Sequence, residues 1–232
     1  MSLLGIDVGT TGCKVIAFSV EGQILAQAYD EYPLLHPQPG WSELDSYVVW
    51  EKISGCIQSV AQHTKSDPIE AISVASQGEA VTPISKSGEI FANTITSFDS
   101  RTTGISSEIW QEASKLDLMK ITGIPLSDIT TLAKITWIQQ HQPDVFEQTW
   151  KFLGYEDFVF YKLGMPPVID YSLAARTMLF DVIQKDWSER MLNMINVNSS
   201  LFSSTAASGT VIGKIGSGIA KDLGLPLSLI HI

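Results

Sequence analysis

The sequence predicts a mixed α/β domain, and three observations carry that prediction. An apolar alternation at residues 4–8 closes on a turn of glycine and threonine. Two more short strands follow it through tight turns. A long helical repeat then leads into a fourth strand. In the first strand Leu4, Ile6 and Val8 alternate with Gly5, Asp7 and Gly9. A strand of that pattern buries the first set and turns Asp7 to the other face. Gly9-Thr10-Thr11-Gly12 forms the turn and Cys13-Lys14-Val15 starts the return strand. Gly9 and Gly12 let the backbone take φ > 0 and come close to a ligand.

Glu21-Gly22-Gln23 reads as a second turn, and 24–29 as a third strand, which completes an antiparallel meander. Pro33, Pro37 and Pro39 make 36–40 an irregular loop. Asp45 or Ser46 is placed to cap a helix carrying Val49, Ile53, Ile57 and Val60 or Ala61. Asp67-Pro68 ends that helix, and 69–75 is expected as a buried strand. Three strands, a helix and a strand are the opening of a ribonuclease H-like fold.

Residues 81–84 and 90–95 flank Lys86-Ser87-Gly88 as a hairpin. From Arg101 the texture turns helical: Ile105, Ile109 and Ala113 share one face, and Leu132, Ile135 and Ile138 another. Gln142-Pro143 separates the latter helix from a short one around Val145. Residues 156–163 read as an amphipathic helix with Phe158 and Tyr161 in the core. Ser188 is placed to cap a helix over 189–195. Residues 198–208 read as an ordered loop, and 215–225 as a turn, a short helix and a cap at Gly224.

Composition narrows the function. At 232 residues the chain suits one large domain or two small ones, and with 44% apolar and 17% charged residues it does not read as disordered. A formal charge of -10 argues against a nucleic-acid partner, whose phosphates call for a basic face. It leaves ATP open, because local amides and a metal can hold an anion on an acidic protein. Cys13 and Cys56 show no metal-ligand spacing and are too few for a disulfide scaffold, so they read as reduced core thiols. Met1-Ser2-Leu3 has no basic leader, and no apolar run approaches membrane length. A soluble, cytoplasmic protein with no membrane partner is the expectation.

Four clusters carry polar chemistry. Three readings fit the first, Asp7 to Lys14: a tight hairpin with a surface aspartate, one loop of an aspartic protease dimer, or a phosphate-binding loop. In the last, the Thr10 and Thr11 amides and hydroxyls converge on an anion. Mg²⁺ then sits between that anion and Asp7, in keeping with its preference for carboxylate, water and phosphate oxygens. Lys14 adds a donor. Trp41, in Gly40-Trp41-Ser42-Glu43, suits either a sugar platform or a core plug. Gln77-Gly78-Glu79 follows a strand end, where α/β folds place ligand residues. An amide beside a carboxylate suits hydroxyls, which both donate and accept; a polar turn is the alternative. Asp99-Ser100-Arg101-Thr102 reads as a helix cap with a local salt bridge. Glu79 and Asp99 could also form a glycosidase pair, a reading the common occurrence of two acids ranks below the phosphate loop.

Taken together these motifs resemble the FGGY carbohydrate kinases along almost the whole chain. Asp7-Val8-Gly9-Thr10-Thr11-Gly12-Cys13-Lys14 is similar to their opening. Gly40-Trp41-Ser42-Glu43 with Asp45, residues 72–79 and Ser97-Phe98-Asp99-Ser100-Arg101-Thr102 resemble their acceptor-side motifs. Thr122-Gly123, Lys134-Ile135-Thr136-Trp137, Gln142-Pro143, Tyr155-Glu156-Asp157-Phe158, residues 170–181 with Trp187-Ser188, and Gly224-Leu225-Pro226 continue the likeness.

The resemblance implies an N-terminal domain of the actin-like ATPase superfamily. It implies ATP-dependent, Mg²⁺-assisted transfer of phosphate to a hydroxyl of a sugar, polyol or sugar acid. By carry-over, Asp7 holds the metal shell, Gly9, Thr10, Thr11 and Lys14 the phosphates, and Trp41, Gln77, Gly78, Glu79 and Asp99 the acceptor.

Two departures stand out. Gln77-Gly78-Glu79-Ala80 replaces both the Gln-Met-His-Gly of xylulokinase-like members and the Gln-Arg-Glu-Thr of glycerol kinases, and Ile129 stands where the latter carry tyrosine. The acceptor is therefore open, with a pentulose such as xylulose favoured. After Pro226 the family continues Gly-Thr-Pro-Val toward its catalytic aspartate, whereas this chain ends Leu227-Ser228-Leu229-Ile230-His231-Ile232. The expectation is a sugar-binding domain over 1–226, a non-native tail over 227–232, and a C-terminal ATP-binding domain outside this chain. A severed domain of this kind is expected to be inactive and prone to dimerise.

Overall fold

A computed structural model describes residues 1–109 and 115–231. Strands β1 (Ser2–Val8), β2 (Gly12–Ser19) and β3 (Ile24–Glu31) form the expected antiparallel meander, with Asp7 opposite Lys14 and Val8 opposite Cys13. Helix α1 (Ser46–His63) carries the chain across to β4 (Ile69–Ser76), which pairs with β1 in parallel. A parallel pair needs such a crossover. Asp45 is the cap of α1: its carboxylate accepts from the amides of Tyr47 and Val48 at 2.9 and 3.4 Å. Ser46 is buried instead, its hydroxyl shared with Thr94 and Tyr155.

Val211–Lys214 and Leu229–His231 complete a six-stranded sheet, in the order Val211–Lys214, Leu229–His231, β4, β1, β2, β3. Leu4, Ile6, Val15, Ile72 and Val74 form one core with the apolar stripe of α1. The strand expected to be buried is covered on one face only. Ile69, Ile72 and Val74 point into the core, while Glu70, Ser73 and Ala75 are exposed on the face that also carries Asp7 and Lys14.

The second half of the chain builds a separate core beyond the end of β4. Leu132, Ile135 and Ile138 of α2 (Thr131–His141) share it with Phe152, Met178 and Met191. The hairpin turn at 85–89 forms as expected, with Ser85 N–H bonded to Glu89 O at 2.8 Å. Ser188 caps Glu189–Met194, and Gly224 ends Ser217–Leu223 at φ 70. The face expected for Ile105, Ile109 and Ala113 begins in the helix Ile105–Ile109, but Ala113 lies outside the described residues.

Two expectations need correction. Helix α3 (Tyr155–Lys162) is not amphipathic, because all of Tyr155 to Phe160 is buried and Tyr161 is only half-buried. The sheet core covers one side of it, and the segment carrying Phe202 and Ser203 the other. The loop expected over 198–208 contains a strand, Ser204–Ala206, paired in parallel with Val168–Asp170. Its serine-rich composition hides a pairing supplied by the partner strand.

Candidate functional site

The turn between β1 and β2 is held from below. Gly9 N–H donates to Gly12 O at 3.0 Å, Tyr32 N–H to Thr11 O at 3.2 Å, and the Tyr32 hydroxyl reaches Gly9 O at 2.6 Å. With its carbonyls tied down, the loop leaves the Thr10 and Thr11 amides without a hydrogen-bond partner among the described residues. A Cβ on Gly12 would lie 2.7 Å from Asp30 O, so only glycine fits the close crossing to β3. Asp7 and Lys14 are cross-strand neighbours, both exposed, and they line one groove with Ile16, Phe18 and Ser73.

β4 runs out into Gln77-Gly78-Glu79 beside that loop. Gln77 N–H donates to Val8 O at 2.9 Å, and its side-chain amide donates to Gly9 O at 3.2 Å. The Thr10 hydroxyl donates back to Gln77 Oε1 at 3.2 Å. Gln77 is thus a tie between the loop and the turn, and its side chain is engaged rather than open to a sugar. Glu79 sits at φ 57, a left-handed conformation that glycine favours over a residue with a long side chain. Three groups hold it there. The Lys134 ammonium donates to its carbonyl, the Ser97 hydroxyl reaches Oε2 at 3.2 Å and Gly78 O at 2.8 Å, and the Arg176 guanidinium pairs with Oε1.

The family resemblance implied that Asp99 and Trp41 hold the acceptor; the structure uses both inside the fold, Asp99 in the local salt bridge and Trp41 as the core plug that the residues alone allowed. The Asp99 carboxylate is 0% exposed and accepts from Ser42 N, Arg101 N, Arg101 Nε and Arg101 Nη2. Arg101, itself 2% exposed, also binds Glu43 at 2.7 Å. Its guanidinium lies 3.8 Å from the centre of the Trp41 ring, and Trp137 packs edge-on against the same ring at 5.2 Å. Asp99, Arg101 and Trp41 form a brace between the proline loop and α2.

Behind Glu79 lies an acidic interior. Asp157 is fully buried, with Oδ2 bonded to Ser203 at 2.5 Å and Oδ1 without a partner among the described residues. Burial pushes its carboxyl up to about 7, and that of Glu156, whose Oε2 accepts from Asp170 N–H, up to about 8. Gly78, Glu79, Gly154 and Asp157 line a cavity of about 20 Å³, room for one water-sized group. Burial also draws the Lys134 ammonium down to about 7 against the pull of Glu79 and Asp99. Cys13 and Cys56 are buried free thiols 4.0 Å apart, as expected for core thiols.

Lys134, Arg176 and Tyr32 were not singled out as site residues from the sequence. Lys134 carried the only local signal, a lysine inside an apolar helix repeat. Arg176 and Tyr32 depend on pairings across the fold that no local pattern reveals.

A ribonuclease H-like sheet with an open amide turn at one strand end and a strained acidic turn beside it defines the fold class. The solved structures agree on the fold. Xylulose kinase from Rhodospirillum rubrum superposes with TM-score 0.94 at 22% identity, over 100% of this chain and 48% of that one. Gluconate kinase from Lactobacillus acidophilus superposes with TM-score 0.91 at 24% identity, over 99% and 46%. The family model "FGGY family of carbohydrate kinases, N-terminal domain" matches residues 2–231, so the chain belongs to the FGGY family of carbohydrate kinases. Among curated relatives, a glycerol kinase of Janthinobacterium sp. is 31% identical over 90% of this chain and 43% of its own length. A gluconokinase of Bacillus subtilis is 28% identical over 96% and 44%. This chain spans less than half the length of these relatives.

Proposed function

We propose that this chain is the acceptor-binding half of an ATP-dependent carbohydrate kinase acting on a hydroxyl of a sugar or polyol, with a pentulose such as xylulose favoured. The observation that carries the reading is the Gln77 tie. Through Gly9 O and Thr10 it sets the open amides of the β1–β2 turn beside the Glu79 turn, so that donor phosphate and acceptor hydroxyl meet across one residue.

The residues of the β1–β2 turn fit the polyphosphate end of Mg²⁺–ATP. The Thr10 and Thr11 amides are unpartnered among the described residues, no side chain fits at Gly12, and Asp7 is exposed two residues before the turn. Bound there, Mg²⁺–ATP supplies the phosphoryl group and neutralises its charge. Asp7 holds the metal's water shell, the two amides orient the phosphates, and Lys14 adds positive charge. Thr10 acts through its amide and its hydroxyl lone pairs, since its hydroxyl proton is given to Gln77. Glu79 takes the acceptor hydroxyls, while Asp99 and Trp41 stiffen the wall behind it. The work of this half is positioning.

In this reading the general base and the adenine pocket belong to a second domain outside residues 1–226. That domain would cover exposed apolar side chains such as Leu3, Ile24 and Tyr29. Left bare, such surface promotes self-association, so the isolated chain should dimerise. Calorimetry with D-xylulose, xylitol, glycerol and D-gluconate, paired with a coupled ADP-release assay, tests the proposal. The expected result is acceptor binding without sugar-dependent turnover. Failure to bind any of the four overturns the acceptor site, and turnover at an ordinary kinase rate would place the base inside this chain.

A further inference from the structure

The chain has two arginines near the acceptor turn, and they are used in opposite ways. Arg101 is buried and bonded through Nε and Nη2 to Asp99 and Glu43. Arg176, the last residue of α4 (Tyr171–Arg176), has a side chain 47% exposed and a single partner among the described residues, Glu79 Oε1. Its stem crosses the face of Gly78: a Cβ built there would lie 3.4 Å from Arg176 Cγ and 3.6 Å from Nε. These are ordinary van der Waals distances, so the arginine stem packs directly against the turn at position 78. The start of α4 is fixed as well, because Asp170 caps it through Leu173 N–H at 2.7 Å.

The Glu79 side chain is only 6% exposed, with Oε1 on Arg176 and Oε2 on Ser97, so the pair presents the remaining lone pairs of the carboxylate beside the exposed edge of the guanidinium. Glu79 only accepts hydrogen bonds, and the free N–H groups of Arg176 only donate. A hydroxyl does both, so two adjacent hydroxyls can bridge carboxylate and guanidinium without breaking the pair. A carboxylate ligand satisfies the arginine alone, and has to displace Glu79 or lie against its negative charge.

We propose that Arg176 is an acceptor-binding residue, which with Glu79 takes a vicinal diol at an uncharged end of a sugar or polyol and disfavours an acid at that end. The inference rests on the acceptor site proposed above and narrows its substrate class.

Calorimetry on the full chain with xylitol and D-gluconate tests it, using wild type, Arg176→Lys, Arg176→Met and Glu79→Gln. Wild type should prefer xylitol. Arg176→Met should weaken xylitol at least tenfold, and Arg176→Lys should recover part of that loss. In Glu79→Gln the freed guanidinium should shift the xylitol-to-gluconate ratio toward gluconate by fivefold or more. A purely structural ion pair would not move that ratio. Thermal melts of each variant identify any that fail to fold, and Arg176→Lys keeps the charge if Arg176→Met does not fold. Wild-type binding of xylitol with unchanged affinity in both Arg176 variants overturns the role of Arg176 and leaves the acceptor site standing. An unchanged ratio in Glu79→Gln overturns the diol selection. Absence of binding by wild type overturns the site and this inference together.

Discussion

The ammonium of Lys134 donates to the backbone carbonyl of Glu79, 55 residues away in sequence, and both groups are buried. This contact holds a non-glycine residue at φ 57 at the end of β4. It couples the interior of α2 to the residue that we assign to the acceptor.

Lys134→Met should therefore lower acceptor affinity while the fold survives. It leaves the Glu79 carbonyl buried without its donor, which costs about 1–3 kcal/mol. The pH dependence has a definite sign. Between about 7 and the ordinary 10.5 of lysine, the unfolded chain binds a proton that folded Lys134 does not. Stability from this group therefore rises with pH across that window. Urea denaturation at pH 7 and pH 9.5 should show that rise in wild type and a smaller one in Lys134→Met.

The acids behind the turn act in the opposite direction. Asp157 and Glu156 hold their protons up to about 7 and 8 when folded, against 3.8 and 4.5 ordinarily. Their contribution is fully present below about pH 4 and is lost as pH rises through 7 to 8. Asp157→Asn imitates the protonated acid, so denaturation curves from pH 5 to 8.5 should be flatter for this variant. It should also be the more stable protein at pH 8.5.

Asp99→Ala is expected to damage stability first. It strands the Arg101 guanidinium, 2% exposed, with Glu43 as its one remaining counter-charge among the described residues. Breaking one partner of a buried pair typically costs about 3–5 kcal/mol. Chemical denaturation should show a loss of that size. A stable Asp99→Ala protein with weakened acceptor binding would return Asp99 to the acceptor site.

Much of the fold was legible because its signals are local. Alternation in β1, the Asp45 cap and the repeat in α1 each lie within a few residues. The candidate site was legible as motifs, from Asp7 to Lys14 and from Gln77 to Glu79. What escaped was the division of labour among them. The salt bridge from Asp99 to Arg101 was legible two residues away, but nothing near Asp99 announces that the Ser42 amide will also bind its carboxylate, and nothing near Gln77 announces Gly9 and Thr10. Those assignments depend on pairings between segments roughly 57 to 68 residues apart. The burial of α3 on both sides escaped for the same reason, since its second cover comes from Phe202 and Ser203.

The most direct test of the central claim is calorimetric titration of D-xylulose into wild type, Asp7→Asn and Glu79→Ala. In the proposed function the two acids serve different ends of the Gln77 tie, Asp7 the phosphate and Glu79 the acceptor. The account predicts that Glu79→Ala weakens binding by roughly 5- to 150-fold, the range for a lost buried hydrogen bond to a hydroxyl, and that Asp7→Asn stays within about twofold of wild type. Equal losses in both variants, or an unchanged affinity in Glu79→Ala, would contradict it.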